Sequence, residues 1–369
     1  MIANAKPVLF ALLFAAALTA AAERKITRVF CWGFPADDAI AARYAAAGVT
    51  DIQVRDARET ALAKKYGMTP YFSCFMPAGP HRQQMTPEEE AHSRYINGLD
   101  LDPELPKRER MKIVHARRIE KRHRYGGDSV AEIDTLRCDL PCFVSDDGLA
   151  LTKNKLDDLV SRAPEGVAGV YLDYIGYTNH RGCYCPECLG KLRRFLTERG
   201  LADTPENRAI FYREQLVNYC NAVIAYIKLR RPEFKVVIHI YPEFRPDPLY
   251  GNRVKADFCG ETVAWYFPWD DERIDRTTRF VVGHARDFHP DAVGIPFLGV
   301  NRNPGGSLAV KTPETVAHEL DLITAAGGRV LMVCDGSAML APGYFEVFRK
   351  YCGKKMTPNR ICGSGSQRW

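Results

Sequence analysis

A short segment of this chain combines a carboxylate inside an apolar run with a dense cluster of cysteines. Residues 166–188 read GVAGVYLDYIGYTNHRGCYCPEC, in which the β-branched run contains Asp173 and a C-x-C-x-x-C pattern follows. The run is typical of a buried parallel strand that ends near an acidic side chain. Cys183, Cys185 and Cys188 offer three thiolates with the spacing of a tetrahedral metal site, for which zinc is the expected ion. We therefore expect a functional carboxylate beside a loop held by a metal.

The predicted zinc site needs a fourth ligand from another part of the chain. Cys142 is the first choice and Cys138 the second, both in the segment LRCDLPCFVSD, and His180 is the third. A site closed by four protein ligands has no open position for a substrate, so the zinc is expected to be structural rather than catalytic.

Further acidic residues follow other strand-like segments and could form a pair with Asp173. Glycoside hydrolysis uses two carboxyl groups, one as nucleophile or base and the other as proton donor. The segment HIYPEF offers Glu243, and the segment WYFPWDDE offers Asp270. The predicted catalytic residues are therefore Asp173, Glu243 and Asp270, with Glu243 preferred to Asp270 as the general acid. The alternatives are a structural salt bridge for Asp173 and a surface position for Glu243.

Aromatic and polar residues near the same strand ends could line a sugar-binding pocket, because aromatic faces pack against the C–H face of a pyranose. The predicted substrate-binding residues are Trp32, Asp56, Tyr171, His239, Trp265 and Asp335. A position in the hydrophobic core is the alternative for the aromatic residues. For Asp335, the alternative is that its side chain caps the following helix.

Strand-like and helical segments alternate along the chain and predict how these residues are brought together. The predicted strands are 27–32, 50–55, 69–75, 169–174, 235–241, 256–265, 292–300 and 329–334. A repeated βαβ pattern predicts a parallel sheet, and eight repeats predict a closed (β/α)8 barrel, which fits a length of 369 residues. An open doubly wound sheet is less favoured, because no Gly-rich phosphate turn follows the first strand. In such a barrel, functional groups come from the carboxyl ends of the strands.

The ends of the chain and one long connection are expected to lie outside the regular barrel. Residues 1–22 combine a short charged start, an apolar run and a small-residue cleavage site, which predicts a secretory signal peptide. We assign residues 23–355 to the barrel, 76–150 to an inserted lid after strand three, and 356–369 to a tail. The mature protein is expected to be exported, to the periplasm or beyond the cell, without stable membrane insertion.

Charge and composition narrow the class of partner. The chain is 46% hydrophobic and 26% charged, as in globular proteins, and its net charge is +6. Much of the positive charge lies in residues 107–124, where it forms either a solvated helix face or a surface that steers an acidic substrate. We expect a carbohydrate substrate and no binding of nucleic acid, because no nucleic-acid module is recognisable.

The cysteine segment resembles the zinc-bearing segment of family 42 β-galactosidases, and also that of poorly characterised TIM-barrel glycosyl hydrolases. The resemblance covers about sixty residues, from Cys138 to Leu196. The matching features are Cys142 before a helix, Asp173 at the end of strand four, Cys183-Tyr184-Cys185-Pro186-Glu187-Cys188, and the helical segment Leu192-Arg193-Arg194-Phe195-Leu196. The resemblance implies a barrel with structural zinc and activity on glycosidic bonds.

The chain departs from the β-galactosidase pattern at the catalytic positions. That family carries Asn-Glu at the tip of strand four and a glutamate nucleophile on strand seven. Here Asp173-Tyr174 stands at the first position, and VGIPFLGV, the predicted strand seven, contains no carboxylate. The family's catalytic pair therefore cannot be transferred. An aspartate on strand four is similar to the arrangement in α-fucosidase and α-galactosidase barrels, which is an analogy of fold alone. A barrel that binds glycans without cleaving them remains the alternative function.

Overall fold

Eight parallel strands form a closed barrel in sequence order. The computed structural model describes residues 26–75, 82–125, 142–177, 181–241, 254–264, 269–288, 293–300 and 311–353. The strands are β1 (Arg28–Cys31), β2 (Asp51–Val54), β3 (Thr69–Phe75), β4 (Gly169–Gly176), β5 (Lys235–Tyr241), β6 (Phe258–Ala264), β7 (Val293–Gly299) and β8 (Val330–Cys334). The predicted (β/α)8 barrel is confirmed, and β3 and β5 have the predicted bounds.

In the described part of the chain, helices lie between successive strands everywhere except between β5 and β6. They are α1 (Asp38–Ala46), α2 (Ala57–Lys65), α3 (Pro87–Ile96), α4 (Lys107–Tyr125), α5 (Asp146–Arg162), α6 (Pro186–Arg199), α7 (Pro205–Arg230), α8 (Asp271–Phe288), α9 (Pro313–Ala325), α10 (Gly336–Met339) and α11 (Tyr344–Cys352). Between β3 and β4 the chain forms α3, α4 and α5. The predicted signal peptide and tail lie outside the described residues. No helix in the described ranges is long and apolar enough to cross a membrane.

Polar side chains fix where several helices begin. Asp37, Asp56, Ser145, Thr204 and Thr312 each accept a hydrogen bond from a backbone N–H in the first turn of the following helix. These caps satisfy backbone donors that have no partner within the helix. A short acidic or hydroxyl residue after a strand can therefore serve as a helix cap in this fold, and the acidic candidates at such positions need not be catalytic.

Aromatic contacts show which strand positions face the barrel interior. The ring of Phe30 on β1 lies 5.6 Å from that of Tyr71 on β3 and 5.0 Å from that of Phe258 on β6. Side chains from such distant strands can meet only inside the barrel. Because register partners on neighbouring parallel strands point to the same side, the pairing assigns the other interior positions. Those toward the carboxyl ends include Trp32, Gln53, Ser73, Tyr171, Asp173, His239 and Thr262.

Candidate functional site

A buried carboxylate–imidazole pair lies near the carboxyl ends of β4 and β5. Asp173 is 2% exposed and His239 is 1% exposed. His239 Nδ1 and Asp173 Oδ1 are 2.9 Å apart. An ionised carboxylate only accepts hydrogen bonds, so the ring donates from Nδ1. Oδ2 of Asp173 is also buried but has no hydrogen-bond partner among the described residues. Oδ1 of Asp173 is thus held by His239, while Oδ2 has no hydrogen bond to the described residues.

Thr262 on β6 extends this pair to a chain of three side chains. Its Oγ1 lies 3.3 Å from Nε2 of His239. With the proton of a neutral imidazole on Nδ1, Nε2 is an acceptor, so the Thr262 hydroxyl donates to it. Thr262 is partly exposed, whereas His239 and Asp173 are buried. The hydroxyl therefore lies at the solvent side of a network that ends at Asp173.

The His239 ring is held by packing as well as by hydrogen bonds. It stacks on Phe297 of β7, with ring centroids 4.1 Å apart and planes 12° apart. Phe297 fills the space that a side chain at position 260 would take, since a Cβ on Gly260 would lie 2.1 Å from its ring. Glycine at this position on β6 therefore permits the stack, and the stack fixes the plane in which both imidazole nitrogens point.

Two irregularities in the strand pairing coincide with the ends of the network. The register between β4 and β5 shifts between Leu172 and Ile175, next to Asp173. The register between β6 and β7 shifts between Thr262 and Ala264. Such bulges redirect side chains and are common beside functional sites. Here they accompany the two residues that contact His239.

Aromatic side chains lie beside the pair on the interior face. Trp32 on β1 and Tyr171 on β4 have ring centroids 6.1 Å apart, with planes inclined by 58°. Tyr171 is 1% exposed, whereas Trp32 is half-buried and can meet a ligand. Tyr171 precedes Asp173 by two positions, which places both on the same face of β4. The structure thus brings together four of the predicted residues: Trp32, Tyr171, Asp173 and His239.

Two of the acidic candidates serve as helix caps. Asp56 is exposed, and its Oδ1 accepts from the backbone N–H of Glu59, 2.8 Å away. Asp270 is exposed as well, and its Oδ1 accepts from the backbone N–H of Arg273, also at 2.8 Å. Each carboxylate is held at the start of a helix. Glu243 and Trp265 lie outside the described residues.

Asp335 follows β8 in an unusual backbone conformation. Its φ is 66°, and it is the one non-glycine residue with positive φ in the described part of the chain. Its side chain makes no capping hydrogen bond to the short helix that follows, and its Oδ1 instead accepts from the Ser337 hydroxyl at 2.7 Å. The helix-capping alternative for Asp335 is therefore wrong. A left-handed residue at a strand end of a barrel is a form of local strain that is often found near functional sites.

A second cluster, of four cysteines, lies between the loop after β4 and the start of α5. The Sγ atoms of Cys142, Cys183, Cys185 and Cys188 all lie within 4.8 Å of one another, and three of the four residues are buried. Cys142 Sγ is 3.4 Å from that of Cys188 and 3.9 Å from that of Cys185. This buried group could hold a metal ion. Cys138 and His180, the other candidates for the fourth ligand, lie outside the described residues.

The electrostatics of the cluster favour a cation. Hydrogen bonds from the Cys183 and Cys188 thiols lower the pKa of Cys142 to about 2. The contact with Cys142 in turn raises the pKa of the Cys183 thiol to about 12 and that of the Cys188 thiol further. One thiolate is thus stabilised at the expense of its neighbours, because charges of one sign repel at this separation. A bound cation would allow all four to ionise.

Hydrogen bonds from neighbouring elements fix the backbone around the cysteines. The Tyr212 hydroxyl on α7 donates to the carbonyl of Cys183 at 2.7 Å, and the Tyr177 hydroxyl after β4 donates to the carbonyl of Tyr212 at 2.8 Å. Lys191 Nζ on α6 donates to the carbonyl of Val144 at 2.6 Å. The cluster therefore joins the starts of α5 and α6 to the end of β4, the strand that carries Asp173.

Sequence reasoning missed Thr262, Gly260 and Phe297. Thr262 is a single hydroxyl within the apolar strand sequence FCGETVA, and only the strand register shows that it faces His239. Gly260, two residues earlier, is the one available sequence signal, since a glycine within a strand often marks a close approach of another group.

Comparison of the sequence with protein-family models finds no match, and comparison with curated proteins finds none. Among solved structures, the fold is similar to the PgaB (BpsB) glycoside hydrolase domain from Bordetella bronchiseptica, with a TM-score of 0.53 and 11% identity over 90% of this chain and 99% of that chain. A β-galactosidase from the Antarctic haloarchaeon Halorubrum lacusprofundi gives a TM-score of 0.49 and 14% identity over 88% of this chain and 57% of that chain. Gan42B, a GH42 β-galactosidase from G. stearothermophilus, gives a TM-score of 0.46 and 10% identity over 89% of this chain and 56% of that chain. At 11% identity, the feature shared with the PgaB domain is the barrel fold.

Proposed function

We propose that this protein is an exported glycoside hydrolase whose catalytic carboxylate is Asp173. The observation that carries the proposal is the state of this side chain: a buried carboxylate near the end of β4, with one oxygen bound to His239 and the other without a partner in the described part of the chain. Burying an unsatisfied charged oxygen costs free energy, which is common where a site is built to meet a substrate. Similarity to the fold of a glycoside hydrolase domain supports the same class.

In the proposed reaction, Asp173 is the nucleophile or the electrostatic stabiliser of an oxocarbenium-like transition state. The hydrogen bond from His239 Nδ1 directs the free oxygen, Oδ2, toward the bond to be cleaved. Glu243 is the proposed general acid, and Asp270 the second choice, since its carboxylate already caps α8. Trp32 would pack against the sugar ring. Asp56, Tyr171, Trp265 and Asp335 are further proposed contacts for the carbohydrate.

The four-cysteine cluster is proposed to hold a structural zinc. Four thiolates form a closed tetrahedral set, in which zinc has no open position for catalysis. Its proposed role is to hold the loop after β4 and thereby the end of the strand that carries Asp173. The segments 1–22 and 76–150 are proposed, as before, to direct export and to cover the barrel mouth.

The decisive experiment is a screen of the mature protein against nitrophenyl glycosides and plant and algal polysaccharides, followed by Asp173→Asn. Asparagine keeps the shape and can still accept from His239, but it removes the charge. We expect a loss of about 10³-fold or more in kcat, with the melting temperature little changed. Asp158→Asn, at an exposed residue of α5 paired with Arg162, is the matched control and should retain full activity.

Full activity of the Asp173→Asn variant would eliminate the proposed mechanism. Glycan binding by the wild type without any turnover would instead support the alternative, a barrel that binds carbohydrates and does not cleave them. Isothermal titration calorimetry with the polysaccharides of the same screen separates these two results.

A further inference from the structure

Gln53 is a buried amide on the interior face of the barrel to which the proposed reaction assigns no role. It lies on β2 and is 2% exposed. Its register partner on β3 is Tyr71, whose ring packs inside the barrel against Phe30 of β1. Since register partners point to the same side of a parallel sheet, Gln53 also faces the interior. Its side chain is therefore not among those that pack between the outer face of the sheet and the surrounding helices.

Both polar atoms of this amide are buried without a hydrogen-bond partner among the described residues. An amide in that state loses its hydrogen bonds to water and gains none from the protein, which costs free energy. Buried polar groups in native proteins are nearly always satisfied, and those without a protein partner are satisfied by an ordered water or a ligand. The Gln53 amide therefore needs a polar partner that the described residues do not supply, and an ordered water or a ligand would meet this need.

Among the described residues, the side chains that follow Gln53 toward the barrel mouth are small, partly exposed or turned aside. Arg55, directly after β2, forms an ion pair with Glu59, and its guanidinium lies 4.3 Å from the Phe34 ring, so its side chain is held outside the barrel. Ser73 on β3 is small and partly exposed, and Trp32 on β1 is half-buried. Solvent thus reaches the layer of side chains immediately above the amide.

Asp173 bounds the same sector on its other side. β3 pairs with both β2 and β4, and its residues Ser73 and Phe75 are the register partners of Tyr171 and Asp173. Gln53 and Asp173, which both have buried polar atoms without a partner among the described residues, therefore lie on the two strands that flank β3, the strand of Ser73. A ligand lying over Ser73 has an amide on one side and a carboxylate on the other.

We propose that Gln53 is a specificity-determining residue that binds the hydroxymethyl hydroxyl of a neutral hexose held beside Asp173. The inference rests on the proposed function and adds the substrate class. An amide donates and accepts, and so does a hydroxyl, so the two are matched. The hydroxymethyl group carries its hydroxyl farthest from the pyranose ring, so it is the sugar hydroxyl best suited to reach a buried amide. The carboxylate of a uronic acid only accepts, and it would be repelled by Asp173.

The test compares hexosides with pentosides that lack only the hydroxymethyl group: nitrophenyl glucosides with xylosides, and galactosides with arabinopyranosides. In Gln53→Leu, we expect kcat/KM for the preferred hexoside to fall by about 10- to 100-fold, the effect of losing hydrogen bonds to a buried group. For the pentoside, kcat/KM should change by less than about twofold, because this substrate makes no contact with the amide. Met332→Leu, at a buried interior residue of β8, is the control. It should leave kcat/KM unchanged for both the hexoside and the pentoside.

Thermal unfolding supplies a readout that does not depend on turnover. Leucine has a similar volume and no unsatisfied atoms, so Gln53→Leu without ligand should melt at the wild-type temperature or a few degrees above it. A clear fall in melting temperature, or an equal loss of activity on hexoside and pentoside, would show that the amide is structural and would overturn the inference.

If the wild type cleaves none of these compounds, calorimetry with methyl hexosides and methyl pentosides takes the place of kinetics. Tighter binding of a hexoside that is lost in Gln53→Leu would support the inference while the proposed hydrolysis fails. Absence of binding to any of them, or equal binding of both sugars by the variant and the wild type, would overturn the assignment of Gln53.

Discussion

At the scale of single residues, the site depends on how His239 is held. A buried imidazole has two nitrogens to satisfy, and here Asp173 takes one while Thr262 takes the other. With a proton on Nδ1, the ring donates a hydrogen bond to the carboxylate. Thr262 therefore acts on Asp173 through His239, as a positioning residue that does not itself carry out chemistry.

Removing the Thr262 hydroxyl should weaken catalysis more than substrate binding. Thr262→Val keeps the shape but leaves Nε2 of His239 without its donor, at a cost of about 1.4 kcal/mol, which corresponds to a tenfold fall in kcat. KM should change by less than twofold. Thr262→Ser restores the hydroxyl and should recover most of kcat. Steady-state kinetics on the cleaved glycoside measures both parameters, and a serine variant as slow as the valine variant would contradict this role.

The sequence predicted part of this residue-level arrangement. Asp173 and His239 were identifiable because a polar side chain inside an apolar strand requires a reason. Asp56 and Asp270 satisfied the same rule of an acid after a strand, yet each caps a helix. A cap and a catalytic acid occupy the same position in a βα unit and use the same residue types, so spacing alone cannot separate them.

At the scale of elements, the cysteine cluster joins segments that are far apart in sequence. Cys142 precedes α5, whereas Cys183 and Cys185 lie in the loop that leads from β4 into α6, and Cys188 lies in the first turn of α6. The clustered spacing indicated a metal site and ranked Cys142 as the first choice for the missing ligand. Spacing could not supply the geometry that brings Cys142 Sγ within 3.4 Å of Cys188 Sγ, because this depends on how α5 packs against α7.

Loss of the metal should loosen this junction without unfolding the barrel. We expect about one zinc per chain in the purified protein, and none in Cys188→Ser. The variant should melt several degrees lower, because metal binding would no longer stabilise the folded state. Cys220→Ala, at a buried cysteine of α7 outside the cluster, is the control and should retain its zinc. Elemental analysis with circular dichroism measures both effects, and full zinc content in the serine variant would refute the ligand set.

At the scale of the whole molecule, the barrel places the proposed site and a partly buried ion pair at opposite ends of its axis. The count and order of apolar strands were enough to predict closure, because eight βα repeats have few other ways to bury both faces of a sheet. The carboxyl end carries Asp173, His239 and Thr262. The amino end is closed by Arg28, whose guanidinium binds Asp51 at 2.6 and 2.8 Å and lies over the rings of Phe30 and Phe258. The pattern of strands gave no sign of this closing contact.

Asp51→Asn should therefore reduce stability and leave catalysis unchanged. Asp51 is 1% exposed and accepts from Arg28 and from the Thr50 hydroxyl, so asparagine loses the ion pair and places an amide donor against the guanidinium. Arg28 is itself 35% exposed, which limits the expected loss to about 2 kcal/mol in the free energy of unfolding. Urea denaturation measures this loss, and kinetics below the melting temperature should give wild-type kcat and KM. A fall in kcat without a change in stability would mean that the two ends of the barrel are coupled, contrary to the separation that the fold implies.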